Sequence, residues 1–214
     1  MGLFEDPYGK TFKNRKRHSP ESVKLAKTIA DESTVLLKNE NQLLPLDTKS
    51  LKSIAIIGPN ADQVQFGDYT WSRNNKDGVT PLQGIKNRVN KNTAIHYAKG
   101  CSLTSLDTSG IAEAVEAAKN SEVAVIFGGS ASAALARDYK SSTCGEGFDL
   151  NDLNLTGAQS QLIREVYRTG TPVILVLVTG KPFVIEWEKN NLPAILVQLS
   201  LIHISEPTRL RCIS

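Results

Sequence analysis

Five short apolar runs, separated by segments with helical periodicity, constrain the fold of this chain more than any other feature. The runs are SIAII before Gly58, AIHYA (94–98), EVAVIFGG (122–129), PVILVLVTG (172–180) and PAILVQ (193–198). Continuous apolar runs rich in β-branched residues are typical of strands that are buried on both faces of a parallel sheet. Because helical segments alternate with them, we predict an α/β fold, a doubly wound, mostly parallel sheet with helices on both faces.

The helical segments begin at recognisable capping residues. In the first, Ser19 is an N-cap, Pro20 occupies the first helical position, and apolar residues recur at helical spacing as far as Leu37. The other helices are predicted after Thr80-Pro81, at 109–121 with Ser109 as the cap, at 157–169 with Thr156 as the cap and Gly170 as the end, and at 182–190.

The loops that follow the strands are where this fold would bind a ligand, because ligands of doubly wound sheets sit at the carboxyl ends of the strands. Three such loops are GPNADQVQFGDYTWSRN (58–74), GGSASAALARDYKSSTCGEGFDLND (128–152) and TGKPF (179–183). The second is the longest, and long loops in compact domains are commonly functional. It sets one carboxylate, Glu146, between two glycines.

Composition excludes several classes of function. The 214 residues include 25 Lys+Arg and 22 Asp+Glu, and apart from KNRKRHS (13–19) the basic residues are scattered, so no nucleic-acid partner is expected. No run approaches the ~20 apolar residues of a membrane span, so no membrane partner is expected either. The three cysteines lack metal-ligand spacing, and GPNAD lacks the residues of a phosphate-binding loop or dinucleotide fingerprint, so we predict no metal and no cofactor.

The end of the sequence differs from the rest. Residues 199–209 match, residue for residue, the translation of a transposase adapter used in preparing sequencing libraries. We therefore predict that residues 199–214 are a non-native tail and that the sheet is truncated at its C-terminus. On this interpretation His203, Glu206 and Cys212 have no functional role.

A series of motifs points to a family. In order along the chain they are GLFEDPYGK, AKTIADESTVLLKNENQLLPL, SIAIIGPNAD, GDYTW, GEGFDLNDLNLTGAQSQLI and GTPVILVLVTGKPF. Together they resemble the C-terminal half of family-3 glycoside hydrolases, the β-glucosidase and β-xylosidase family. The resemblance covers residues 2–198 and implies a flavodoxin-like α/β sandwich at 19–198. Residues 1–18 would be the linker from a missing N-terminal (β/α)8 barrel, which carries the aspartate nucleophile in this family.

The resemblance also implies site residues. Glu146 matches the general acid/base of the GEG stretch, and an aromatic of the FGDYTW loop would stack on the sugar, with Tyr69 the better match and Trp71 the alternative. Asp68 would contact substrate hydroxyls, although capping of its own loop is the competing interpretation, as it is for Asp62. The family often has arginine where this chain has Leu150, so any partner that this arginine provides is missing here.

The implied activity is that of a retaining β-glycosidase. Its substrates would be β-linked glucosides, xylosides or oligosaccharides, and the isolated fragment would be inactive because the nucleophile lies in the barrel. Such enzymes need two carboxyl groups about 5 Å apart, one of which attacks while the other protonates the leaving oxygen. The alternatives are a non-catalytic carbohydrate-binding or structural module and a nucleotide- or flavin-binding module. Compartment stays open, with the periplasm or the extracellular space typical of the family.

Overall fold

A computed structural model describes residues 4–5, 19–65, 78–131, 143–144 and 151–199. Within these ranges the chain forms one mixed sheet of six strands. The strands are β1 (Thr34–Asn39), β2 (Ser53–Ile57), β3 (Ala94–Ala98), β4 (Val123–Gly129), β5 (Val173–Thr179) and β6 (Ala194–Leu199). The five predicted apolar runs are therefore all strands, and β1 is an additional one.

The strand order is β1-β6-β5-β4-β2-β3, and every neighbouring pair is parallel except β1 with β6. Counted along the chain, the five parallel strands have the order 2-1-3-4-5 of flavodoxin-like sheets. The predicted doubly wound, mostly parallel sheet is confirmed. The order reverses between β2 and β4, so the chain leaves their carboxyl ends in opposite directions across the sheet.

Helices cover both faces of this sheet. One face packs against helices α3 (Ile111–Lys119), α4 (Gln159–Tyr167) and α5 (Glu186–Asn191), whereas the other packs against α2 (Pro81–Arg88) and the segment around Leu44 and Leu46. Strands β4 and β5 are buried along their whole length. This burial on both faces is the reason that their sequences are continuously apolar rather than alternating.

The first helix is shorter than its sequence predicts. Helix α1 spans Pro20–Ser33, and the following six residues, predicted to continue the helix, form β1 instead. β1 pairs antiparallel with β6, where Val35 lies opposite Val197. The helical spacing that reaches Leu37 was therefore misleading, because pairing with the edge of the sheet overrides a weak local preference.

Two of the four predicted caps are confirmed. The hydroxyls of Ser19 and Thr80 each accept a hydrogen bond from a backbone N–H in the first turn of the following helix. The prediction was wrong for Ser109 and Thr156, since α3 and α4 begin after Gly110 and Ala158 without a side-chain cap. The Thr156 hydroxyl instead donates to the carbonyl of Leu103 at 2.6 Å, which joins two loops.

At the C-terminal end, β6 continues through Leu199, which pairs with Thr179. Residues 200–214 lie outside the described residues. Among the helices described, none is both long and apolar enough to cross a membrane.

Candidate active site at the carboxyl edge of the sheet

The carboxyl ends of β2 and β4 lie side by side at the point where the strand order reverses. This switch point is the usual ligand crevice of doubly wound sheets, because the loops on its two sides diverge and leave a gap. Both long loops predicted to be functional begin here. The residues that attach these loops to the sheet therefore determine the geometry of the candidate site.

The loop after β2 lies directly against the end of β4. Gly58 has φ +113°, and a Cβ at this position would be 2.2 Å from the carbonyl oxygen of Phe127. The backbone N–H of Asn60 donates to the same carbonyl oxygen at 3.2 Å. Only glycine allows so close an approach with this backbone conformation. The start of the first loop is thus fixed against β4.

The Asn60 side chain connects the two loops. Asn60 is fully buried, and its Nδ2 donates to the backbone carbonyl of Ser130 at 3.2 Å. Its Oδ1 accepts from Nε2 of Gln65 at 2.9 Å. A buried amide whose two ends are both hydrogen-bonded holds its partners in a defined arrangement. Ser130 is the first residue after β4, so this amide spans the switch point.

The loop after β4 is fastened in two steps. Ser130 is buried, its N–H donates to the carbonyl of Val178 at 2.9 Å, and its hydroxyl lies 3.3 Å from Oγ1 of Thr179. Next, the N–H of Ala131 donates to Oγ1 of Thr143 at 3.1 Å, and the N–H of Thr143 donates back at 3.0 Å. The twelve-residue separation between Ala131 and Thr143 is closed by this pair.

Cys144 continues this closure. Its N–H donates to the carbonyl of Ala131 at 3.2 Å, and the residue is buried. The chain is described again from Asn151. There Oδ1 of Asp152 accepts from the N–H of Asn154 at 2.8 Å, and Leu153 accepts from the N–H of Val184.

A second buried amide, Gln159, fixes the return of this loop to the fold. Its Oε1 accepts from the N–H of Gly129 at 2.8 Å, and its Nε2 donates to the carbonyls of Gly129, Leu103 and Thr156 at 3.1 to 3.2 Å. Gln159 is the first residue of α4. The loop therefore leaves from the end of β4 and returns to the same strand end.

The predicted site residues themselves, Glu146, Asp68, Tyr69 and Trp71, lie outside the described residues. Asp62 is described, and its Oδ1 accepts from the hydroxyl of Thr80 at 2.8 Å. Because Thr80 is the N-cap of α2, Asp62 fastens the far end of the first loop. This contact supports the interpretation of Asp62 as a loop-shaping residue.

One tyrosine and one cysteine side chain near this edge have shifted pKa values. Burial, together with the negative charges of Asp62 and Glu113, raises the pKa of the Tyr97 phenol. Burial also raises the pKa of the Cys101 thiol to about 11. Both groups are therefore neutral at physiological pH, and neither is an activated nucleophile or base.

Two open grooves are lined by described residues of other parts of the fold. One of about 590 Å³ is bordered by Pro172, Val173 and Pro193, where β5 and β6 begin. Another of about 420 Å³ runs along the outer side of α4 between Leu106 and Arg168. The first groove lies at the amino ends of β5 and β6, opposite the carboxyl edge. Within the described ranges no three His, Cys, Asp or Glu residues come close enough to hold a metal ion.

The fold and these loop anchors together define a flavodoxin-like α/β domain that presents two long loops at its switch point. Residues 34–201 match the profile of the glycosyl hydrolase family 3 C-terminal domain. The chain therefore belongs to glycosyl hydrolase family 3, as its motifs predict.

Individual relatives agree with this assignment. A β-xylosidase of Formosa agariphila is 40% identical over 182 residues, which cover 82% of this chain and 24% of the relative. A periplasmic β-glucosidase of Salmonella typhimurium is 34% identical, covering 92% of this chain and 28% of the relative. A β-glucosidase from Listeria innocua, solved with glucose, superposes with a TM-score of 0.76 at 27% identity over 97% of this chain and 27% of its own. The chain thus spans about a quarter of the length of these relatives.

Sequence patterns did not predict the anchoring roles of four residues, Asn60, Ser130, Thr143 and Gln159. All four are buried and hydrogen-bonded at the candidate site. Asn60 had a weak signal, because a polar residue within GPNAD directly follows a buried strand at the carboxyl edge. Gln159 had none, since a glutamine in the first turn of an amphipathic helix is ordinarily exposed.

Proposed function

We propose that this domain supplies the general acid/base, Glu146, to a retaining β-glycosidase that acts on β-glucosides or β-xylosides. The observation that carries the proposal is the anchoring of the loop on both sides of this residue. Cys144 is held at the end of β4, and two residues of chain reach at most about 7 Å. This anchoring supports a role for Glu146 at the ligand edge of the fold.

The chemistry requires a carboxyl group that is protonated near neutral pH when the leaving oxygen departs and deprotonated when water attacks. Desolvation or a neighbouring negative charge raises a carboxyl pKa into this range. Closure of the loop over a sugar, with a second carboxylate on the opposite side, would supply both effects. The glycines on either side of Glu146 allow its backbone to approach the sugar closely.

We further propose that Tyr69, or Trp71 in its place, stacks on the sugar ring and that Asp68 binds its hydroxyl groups. The support is again the anchoring of the loop, because Gln65 is held by Asn60 and Thr80 by Asp62 on the two sides of these residues. An aromatic ring offers a flat apolar face to the C–H face of a sugar, while a carboxylate accepts hydrogen bonds from its hydroxyl groups.

The nucleophile of this reaction is proposed to come from the (β/α)8 barrel of the family. The relatives are β-xylosidases and β-glucosidases about four times as long as the matched region, and the barrel would lie in the part that this chain does not match. The partners of the domain would then be the barrel and a β-linked carbohydrate substrate.

The proposal is tested by Glu146→Gln in the complete gene product that contains this domain and a barrel. We expect kcat on aryl β-glycosides with poor leaving groups to fall by about 10²–10⁴-fold, because proton transfer to the leaving oxygen is lost. Added azide should restore turnover of substrates with good leaving groups by Glu146→Ala, since a small anion attacks the glycosyl intermediate without a general base.

Asp152→Asn is the matched control. Asp152 is an exposed carboxylate of the same loop, and an asparagine oxygen can still accept from the N–H of Asn154. This variant should keep its activity within about twofold. Unchanged turnover by Glu146→Gln would overturn the acid/base role and leave the non-catalytic carbohydrate-binding or structural module as the better description.

A further inference from the structure

The buried Asn60 side chain joins the two loops of the candidate site, and we propose that it is a positioning residue that fixes their separation. Its kinetic consequence rests on the proposed function, whereas the mechanical coupling does not. One loop leads from Gln65 towards Asp68 and Tyr69. The other leads from Ser130 through Thr143 towards Glu146. The Asn60 amide is hydrogen-bonded to the residue at which each of these loop segments starts, Gln65 in one and Ser130 in the other.

The chemistry of the position calls for a carboxamide. The group must donate to a backbone carbonyl on one side and accept from an amide N–H on the other. Aspartate would keep the acceptor but turn a carboxylate towards the Ser130 carbonyl, and alanine would leave both partners without this bond. In a fully buried site each such loss is costly, because water cannot replace the missing partner.

The connection is continuous from one loop to the other. Ser130 is followed by Ala131, whose hydrogen bonds with Thr143 and Cys144 close the second loop. On the other side, the backbone N–H of Asn60 donates to the carbonyl of Phe127, which ties the backbone of Asn60 to the end of β4. A displacement at Asn60 is therefore transmitted to both loops together, and this separates it from Asp62, which fastens one loop only.

The coupling is tested first on this chain by hydrogen exchange. In Asn60→Ala the N–H groups of Ala131, Thr143 and Cys144 should exchange at least about tenfold faster, as should peptides that cover Gln65. Core amides of β5 report global stability and correct for it. The control is Asn120→Ala, which removes an exposed amide whose hydrogen bonds among the described residues go to Glu116. Faster exchange in one loop alone, or in neither, would overturn the coupling.

If Asn60→Ala does not fold, Gln65→Leu serves instead, because it removes only the half of the network on the first loop. This half-buried side chain is at the edge of the site. The coupling predicts that its effect still reaches Thr143. Exchange that changes only near residue 65 would contradict it.

The positioning role is then tested by kinetics in the complete gene product. Misplacement of the acid should lower kcat/KM by about 10²-fold for substrates with poor leaving groups. With activated leaving groups, which depart without a proton, the loss should be at least about tenfold smaller. A smaller population of folded enzyme would lower both by the same factor. Equal losses of Asn60→Ala on both kinds of substrate, together with an inactive Glu146→Gln, would therefore overturn the positioning role. Full activity of Glu146→Gln would instead overturn the proposed function itself.

Discussion

At the scale of single residues, Gly58 lies close against the end of β4 at the switch point. Gly58→Ala should lower the free energy of unfolding by about 2–4 kcal/mol, because the new Cβ would meet the Phe127 carbonyl oxygen at 2.2 Å. Gly170→Ala is the matched control, since Gly170 also has a positive φ, +79°, but nothing lies within 4 Å of its Cβ position. It should cost only about 1–2 kcal/mol of backbone strain. Urea unfolding of both variants measures the difference, and equal losses would contradict the close contact.

Cys101 makes stability depend on pH in the alkaline range. Burial raises the pKa of its thiol from 9.0 to about 11 in the folded protein. Between these values the unfolded chain has lost the proton and the folded chain has kept it. The contribution to stability is therefore complete below about pH 9 and disappears as pH rises towards 11.

The difference between wild type and Cys101→Ala isolates this contribution from other alkaline titrations. The stability advantage of wild type over the variant should shrink steadily between about pH 9 and pH 11 in urea unfolding. A constant difference across that range would show that the thiol is not desolvated in the folded state.

At the scale of elements, the strands could be predicted because burial on both faces leaves a signature in every residue of β4 and β5. β1 could not, since its pattern reads equally well as the end of α1. What decides the matter is the antiparallel pairing of Thr34 with Gln198, a contact between residues far apart in the sequence. The failed caps have other polar partners: the Ser109 hydroxyl donates to the nearby carboxylate of Asp107 at 3.0 Å, and the Thr156 hydroxyl donates to the carbonyl of Leu103.

The junction of β4 with α4 depends on one side chain, Gln159. Gln159→Leu should lower the free energy of unfolding by about 2–4 kcal/mol, because the buried N–H of Gly129 loses its acceptor. Gln161→Leu makes the same chemical change at an exposed position of the same helix and should cost less than about 0.5 kcal/mol. Thermal or urea unfolding gives both values; a neutral Gln159→Leu would mean that the amide is dispensable.

At the scale of the whole molecule, the edge of the sheet that bears the site follows from the alternation of strands and helices alone. The proposed catalytic and sugar-binding residues came from motif resemblance, and the described residues show how their loops are attached. The contacts that attach the loops could not be predicted from the sequence. Asn60 and Ser130 are 70 positions apart, and nothing in either neighbourhood indicates that one donates to the other.

The apolar surface of α1 and β1 has consequences for the chain as a whole. Val35, Leu36 and Leu37 are 43%, 48% and 54% exposed on a strand at the edge of the sheet, and Leu25 of α1 is 60% exposed. Exposed apolar edge strands are templates for pairing with another chain. We therefore expect the purified 214-residue chain to self-associate, with an average sedimentation coefficient that rises with concentration.

Leu36→Lys should reduce this association, because a charge on the edge strand opposes pairing and must be desolvated in any contact. Leu106→Lys is the control, since Leu106 is 80% exposed but lies in the loop between β3 and α3, away from that edge. Sedimentation velocity at several concentrations separates the two cases. If both variants or neither become monomeric, the association does not run through β1, and general hydrophobicity or another surface is responsible.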